Sequence, residues 1–339
     1  MTPPYYIGVD IGGTHIRAAR FAHDSQVPEP KTKIPTQGTL GLEAVLQRLE
    51  MAIREVAGDD LSQIAGIGMA APGPIDPYTG TVLSAPNLPG WVDVPLRRHI
   101  ENQLGRPTFL GNDANLATLG EWKFGAGRGH RDVLYLTIST GIGGGVISGG
   151  HLILGARGLA TEVGHMLAVP DGPLCSCGQR GHLEAVASGT AIGRTAREKL
   201  AAGEGAGSKT LDLAYGDLAN VTGAVVGAAA LAGDAFATGI VVQAGTLIGR
   251  TVASLLHAFN PSIVICGGGV SLLGDVILDP MRAAVQQYAM DEVYWRNCPI
   301  VLGTLGDDGG LVGAAALAME SLRNPGRTVH YATASAQRS

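Results

Sequence analysis

Residues 5–21 read YYIGVDIGGTHIRAARF: an apolar strand, a glycine turn and an apolar strand in immediate return. Residues 5–9 have the apolar density of a buried strand, Gly12 and Gly13 form the turn, and residues 16–21 are the second strand. The pattern restarts about 130 residues later. Residues 133–138 are a strand, residues 140–145 (TGIGGG) a turn, and Val146 and Ile147 open the return. Such an echo implies two related halves.

The rest of the chain alternates between the two periodicities. Residues 42–56, 96–104, 114–124, 191–200, 211–218, 236–259 and 311–322 carry helical spacing, with Asn112 or Asp113 as N-cap of the third. Residues 64–69 read as a strand ending at Pro72-Gly73-Pro74, and residues 263–266 as a strand running into Gly267-Gly268-Gly269. Strands alternating with helices predict an α/β protein.

Composition narrows the function classes. The 339 residues are 45% hydrophobic and 16% charged, which excludes a disordered chain. Net charge is −5 with no lysine- or arginine-rich run, so nucleic acid is not the expected partner. No apolar run is read as approaching the ~18 residues of a membrane span, and no secretory signal precedes the first strand. The four cysteines do not form a disulfide framework and suit a reducing, cytoplasmic setting.

One short segment carries metal-ligand chemistry. Cys175, Cys177 and His182 lie within eight residues, and His165 stands ten residues upstream. Two sulfurs and two imidazole nitrogens suit tetrahedral Zn²⁺, and with all four positions filled the site would be closed and structural. Glu162 and Glu184 are interleaved with these ligands, so a metal folding this loop would bring two carboxylates onto one small surface. The loop has almost no large apolar residues, which makes a metal a source of its stability.

Three glycine turns follow strands: Gly12-Gly13-Thr14, the run from Gly141 through Gly143 and Gly144 to Gly145, and Gly267-Gly268-Gly269. Side-chain-free backbone admits an anion closely, and Thr14 and Thr140 add hydroxyl donors, so the set points to a polyphosphate ligand. Two familiar motifs do not apply. GEGAGSKT at 203–210 has Ser208 where a P-loop needs glycine, and the 141–146 turn returns as a strand where a dinucleotide fingerprint opens a helix.

Taken together these motifs resemble the ROK family of sugar kinases, in the actin/hexokinase-like superfamily. Asp10-Ile11-Gly12-Gly13-Thr14 resembles its first phosphate motif, residues 139–145 the second, Gly267-Gly268-Gly269 its adenosine motif, and residues 162–184 its zinc-loop signature. The likeness runs in order from about residue 6 to residue 322. It implies an α/β, actin-like ATPase (ribonuclease H-like) fold of duplicated domains around a cleft: residues 1–115, then a larger domain over 116–308. The helix at 309–322 would return to the first domain, leaving a loose tail over 323–339.

The resemblance also implies roles. Asp113 matches the catalytic base, and Asn87, Asn112, Glu162, His165 and Glu184 match sugar ligands, with His165 serving zinc through one ring nitrogen and a sugar hydroxyl through the other. Asp10 would help hold Mg²⁺ through water, while Gly12, Gly13, Thr14, Thr140, Gly141, Gly143 and Gly144 would cradle the phosphates of ATP. Gly267, Gly268 and Gly269 would border the nucleoside. No arginine stands among the sugar ligands, which favours a neutral hexose. Glucose is the first choice; mannose, fructose, allose and N-acetylated hexosamines stay open. Homodimers or homotetramers are common in the family. The rival class is a sugar-responsive transcription regulator, whose N-terminal helix-turn-helix has no room before the first strand. Two departures stand out: His182 occupies the place of the usual fourth zinc cysteine, and His15 that of a common lysine.

Overall fold

The computed structural model describes residues 5–23, 25–85 and 87–323, so the tail expected over 323–339 lies, beyond Arg323, outside the described residues. The chain folds as two compact units. The first comprises Met1–Gly129, Gly149–Ala160 and the chain from Asp307, and the second His130–Ser148 and Thr161–Gly306.

In the first unit, β1 (Tyr5–Ile11), β2 (His15–Ala22) and β3 (Pro28–Pro35) precede α1 (Leu42–Ala57) and β4 (Ile64–Ala71). After these come β5 (Ile75–Asp76), β6 (Thr81–Ser84), β7 (Val92–Val94), α2 (Leu96–Leu104), β8 (Thr108–Asn112) and α3 (Asp113–Phe124). The main sheet has the order β3-β2-β1-β4-β8, and β5, β6 and β7 form a small separate sheet. β1 pairs antiparallel with β2, Ile11 meeting Ile16 across the glycine turn. It pairs parallel with β4, which pairs parallel with β8.

The second unit opens with β9 (Val133–Ile138) and β10 (Ile142–Ser148), and the two-residue β11 (His151–Leu152) follows in the segment 149–160. Then come α4 (Leu183–Ala187), α5 (Gly189–Ala201), α6 (Lys209–Leu213), α7 (Gly223–Leu231), α8 (Ala235–Phe259), β12 (Ile263–Gly267), α9 (Asp275–Tyr288) and β13 (Ile300–Leu302). The strand order β10-β9-β12-β13 repeats the order β2-β1-β4-β8, with the same antiparallel hairpin followed by two parallel neighbours. This is the duplication that the echo of residues 5–21 implied.

The last helix, α10 (Gly309–Arg323), belongs to the first unit. Alternation along β1 sends Ile7, Val9 and Ile11 into a core shared with Val45, Leu49 and Ile53 of α1. Gly8 points the other way, at α10. A Cβ on Gly8 would lie 2.2 Å from the carbonyl oxygen of Leu311, and one on its strand partner Gly68 would lie 1.7 Å from that of Ala314. Paired glycines on β1 and β4 thus let the backbone of α10 sit directly on the sheet. On its next face Gly313 approaches α3, where a Cβ would lie 1.7 Å from the carbonyl of Leu116. That contact keeps α3 in the first unit and moves the boundary from the expected crossover near residue 115 to Gly129. Gly68→Ala has no flexible neighbour to displace, so it should cost about 3 kcal/mol or more and lower the thermal midpoint by about 6 °C or more. A midpoint within a degree of wild type, read by circular dichroism, would contradict this seating.

α8 corrects one expectation. Its 25 residues, with a mean hydropathy of 1.4 over the best window, are long and apolar enough to cross a membrane. Arg250 and three threonines, Thr238, Thr246 and Thr251, break the helix's run of apolar residues in the sequence. Its apolar face, including Ile240, Val241, Ile248 and Val252, is buried within the second unit, and α7 and α9 pack against it.

Candidate active site

The expected site residues divide between the two units. In the first, they gather at the C-terminal ends of parallel strands. Asp10 aligns with Ala70 of β4, and Ala71 with Asn112 of β8. With strands ~4.8 Å apart, two steps across the sheet separate Asp10 from Asn112 by roughly 10 Å. Carboxyl ends of parallel strands are where α/β sheets bind ligands.

Asn112 ends β8 and caps α3: its Oδ1 accepts from the N–H groups of Ala114 at 3.0 Å and Asn115 at 3.3 Å. Capping therefore falls to Asn112, and the neighbouring Asp113 stands exposed in the first turn, its Oδ1 accepting from Ala114 N–H at 2.7 Å. Asn87 lies exposed in the turn after β6, where Gly13 comes close enough that a Cβ there would be 3.1 Å from the Cβ of Asn87. The first glycine turn and an expected sugar ligand are thereby adjacent.

Asp10 is held by Arg17, its partner across the β1–β2 pair. Arg17 donates to Oδ2 of Asp10 through Nε at 3.1 Å and also through Nη2, and its Nη1 donates to the carbonyl of Asp307 at 2.6 Å. Both bonds fall on Oδ2, and none of the bonds found for Asp10 involves its Oδ1. The N-terminal turn of α10 stands beside this carboxylate, Gly310 being placed so that a Cβ would lie 3.6 Å from it. These residues fit an Mg²⁺ held through water, as hard oxygen chemistry favours.

In the second unit, His165 ends a 3₁₀ turn, Val163–His165, packed on β10. Gly164 makes the packing possible: a Cβ there would lie 1.9 Å from the carbonyl of Ile142. Sγ of Cys175 lies 3.7 Å from Nδ1 of His165, and Sγ of Cys177 lies 3.2 Å from Nδ1 of His182. One ligand atom from each of the four residues lies within 4.8 Å of all the others. Zinc bond lengths around a tetrahedron place S and N ligands about 3.5 Å apart, so the set fits that ion. Burial pushes the Cys175 thiol up, partly offset by the backbone N–H of Cys177. The two remaining cysteines are buried thiols, pushed up by burial to about 12 at Cys266 and about 11 at Cys298, and so are unreactive.

Glu184 links the metal loop to the second glycine turn. Its Oε2 accepts the N–H of Ile142 at 3.1 Å, and its Oε1 accepts the hydroxyl of Ser176 at 2.8 Å. Gly141 lies against it, since a Cβ there would be 2.3 Å from Oε2. Glu162 is exposed one residue before the 3₁₀ turn. Glu162, His165 and Glu184 are thus carried by segments that pack together, because Leu183 N–H donates to Met166 O at 2.9 Å and Leu167 bridges His182.

The second glycine turn is shorter than expected. β10 begins at Ile142, so Gly143 and Gly144 are strand residues paired with Thr137 and Leu136. Gly144 serves packing: a Cβ would lie 2.6 Å from Cγ2 of Val163 and 2.8 Å from the carbonyl of Tyr135. The turn proper is 139–141, and beside it opens a cavity of about 650 Å³. Thr140 and Gly269 line it, together with Thr190, Arg197, Thr222 and Gly223, for which the sequence raised no expectation. Of the third glycine run, Gly267 ends β12 and Gly268 turns the chain at φ 84. A cavity of this size, mostly apolar with a few hydroxyls, fits a nucleoside.

Residues 6–321 match the ROK family. The glucokinase of Thermotoga maritima is 39% identical over 319 residues, covering 93% of this chain and 98% of that one. The glucokinase of Halalkalibacterium halodurans is 36% identical over 317 residues, covering 92% and 94%. The crystal structure of a ROK family glucokinase from Streptomyces griseus in complex with glucose and AMPPNP superposes with a TM-score of 0.80 at 37% identity, covering 93% of this chain and 99% of that one. The duplicated architecture is accordingly the actin-like fold. The chain belongs to the ROK family and is one of its sugar kinases.

Proposed function

We propose that the protein is an ATP-dependent hexokinase that phosphorylates glucose at the 6-hydroxyl, with Asp113 as general base. The observation that carries this reading is the division of labour at the β8–α3 junction. Asn112 caps the helix, and Asp113, exposed in its first turn with Oδ1 accepting the Ala114 N–H, would take the proton of a substrate hydroxyl. The relatives named glucokinase, and the Streptomyces griseus enzyme held with glucose and AMPPNP, support glucose as acceptor and ATP as donor.

In this reading Asn87, Asn112, Glu162, His165 and Glu184 bind the sugar hydroxyls. Glu184 keeps an unused lone pair on Oε2 beside its bond to the Ile142 N–H, while Oε1 already accepts from the Ser176 hydroxyl and the Cys175 thiol, and Nε2 of His165 is available if Nδ1 faces the metal. Backbone N–H groups of Gly13 and Thr14 and of Thr140 and Gly141 would hold the phosphates, the Gly12 N–H being given to His15 O and the Ser139 N–H to Gly141 O, so that Gly12 shapes its turn without donating to the phosphates; the cavity beside Thr140 and Gly269 takes the nucleoside. Phosphoryl transfer makes little covalent demand on a protein, so positioning and charge neutralisation dominate. Bound Mg²⁺ would supply charge neutralisation on the donor's phosphates, with Asp10 holding it through water. Zn²⁺, held by His165, Cys175, Cys177 and His182, would be structural.

A coupled assay with ATP–Mg²⁺ across a hexose panel tests the assignment. We expect kcat/KM for glucose at least ~10-fold above mannose, fructose, allose, N-acetylglucosamine and N-acetylmannosamine, a margin within reach of hydrogen-bonded hydroxyl recognition. A higher value for any of these would overturn glucose as the substrate while leaving a sugar kinase.

A further inference from the structure

The residue before Glu162 is held in a strained backbone conformation. Thr161 has φ 70, in the left-handed region, although its side chain branches at Cβ, a combination that is a genuine outlier. The segment just before it uses glycine for positive φ, at Gly155 and Gly158. Thr161 is also the first residue of the second unit after the 149–160 segment.

The surroundings fix this conformation. The carbonyl of Thr161 accepts the N–H of Val163 at 2.7 Å. Between them Glu162 has φ −71 and ψ 59, an inverse γ-turn. The hydroxyl of Thr161 donates to the carbonyl of Gly144 in β10 at 3.4 Å. Beyond Glu162, Val163 is buried against Gly144, and Gly164 abuts the carbonyl of Ile142. Glu162 is therefore gripped on both sides by residues anchored to one strand, while its own carboxylate is exposed.

Backbone strain persists only where its neighbours over-determine it, and it clusters at ligand-holding positions. We infer that Thr161 is a positioning residue: its left-handed backbone, restricted by a branched side chain, presets the direction in which Glu162 meets the acceptor sugar. This rests on the reading of Glu162 as a sugar ligand. Glycine at 161 would reach the same φ without strain but many other values as well. Glu162 would then lose its preset direction, and the cost would fall on binding.

The test compares full-length Thr161→Gly, Thr161→Ala and Glu162→Ala for glucose KM, kcat at saturating ATP and thermal midpoint. For Thr161→Gly the expectation is a midpoint at or above wild type, a glucose KM raised about fivefold or more, and kcat within about twofold. Thr161→Ala keeps a Cβ but loses the hydroxyl tether and the branch, so its KM should rise less than that of Thr161→Gly. An unchanged KM in Thr161→Gly, or a KM that rises only together with a lower midpoint, would overturn the positioning role. If Glu162→Ala leaves glucose KM unchanged, the sugar-ligand reading falls and this inference with it. If Glu162→Ala raises KM about tenfold while Thr161→Gly does not, the positioning role alone falls.

Discussion

Asp113→Asn will lower kcat for glucose by about 10²–10⁴-fold, the usual worth of a positioned general base. The amide preserves size and can still accept the Ala114 N–H, so the fold should barely respond. Capping of α3 stays with Asn112, and loss of one negative charge in the first turn costs only about 0.3–1 kcal/mol. Glucose KM should move by a few fold at most, because a group acting on the transferring proton contributes to the transition state more than to substrate binding. Steady-state kinetics beside a thermal melt separate the roles. Full activity would remove Asp113 from catalysis, and a large drop in midpoint would make it a structural residue.

His182→Ala will empty the four-ligand site. Purified wild type should carry stoichiometric zinc, and the variant less than about a tenth of it, since structural sites rely on complete coordination. The loop has little else to hold it: Leu167 is 64% exposed and Leu174 63%, so its apolar residues do not form a core. Structural zinc contributes an apparent ~10–16 kcal/mol in small zinc-folded peptides, enough to decide whether such a segment is ordered. With the metal gone, His165 and Glu184 lose their common anchor, and glucose KM should rise about tenfold or more. Cys298→Ser, at a buried cysteine outside the loop, should keep both metal and KM. Metal analysis of the two variants checks the assignment; stoichiometric zinc in His182→Ala would remove His182 as a ligand.

The fold was legible where sequence pattern and tertiary demand coincide. YYIGVDI is apolar because β1 is covered on both faces, and the restart at Val133 reflects a second sheet of the same strand order. It was less legible where glycine has two meanings. Gly143 and Gly144 read as a turn because glycine is a poor strand former, yet they lie in β10, where missing side chains admit Val163. α9 went unread because Pro280 sits inside it, although Ile277, Leu278, Met281, Ala284 and Val285 keep a helical period. In the candidate site, the clustering of His165, Cys175, Cys177 and His182 was readable from spacing alone. Thr190, Arg197 and Thr222 were not, since α5 and α7 bring them to the cavity from distant positions and neither helix carries a phosphate-type signature. The only hint was small residues four apart, Gly189 with Gly193 and Gly223 with Gly227, which let helices pack closely.

The central claim is transfer of the terminal phosphoryl group of ATP to the 6-hydroxyl of glucose. Phosphorus NMR of a reaction containing ATP, Mg²⁺ and glucose labelled with ¹³C at C6 tests it most directly. The account predicts a phosphomonoester signal coupled to the labelled carbon, growing in step with ADP. Inorganic phosphate growing in its place, or an ester signal without that coupling, would contradict it.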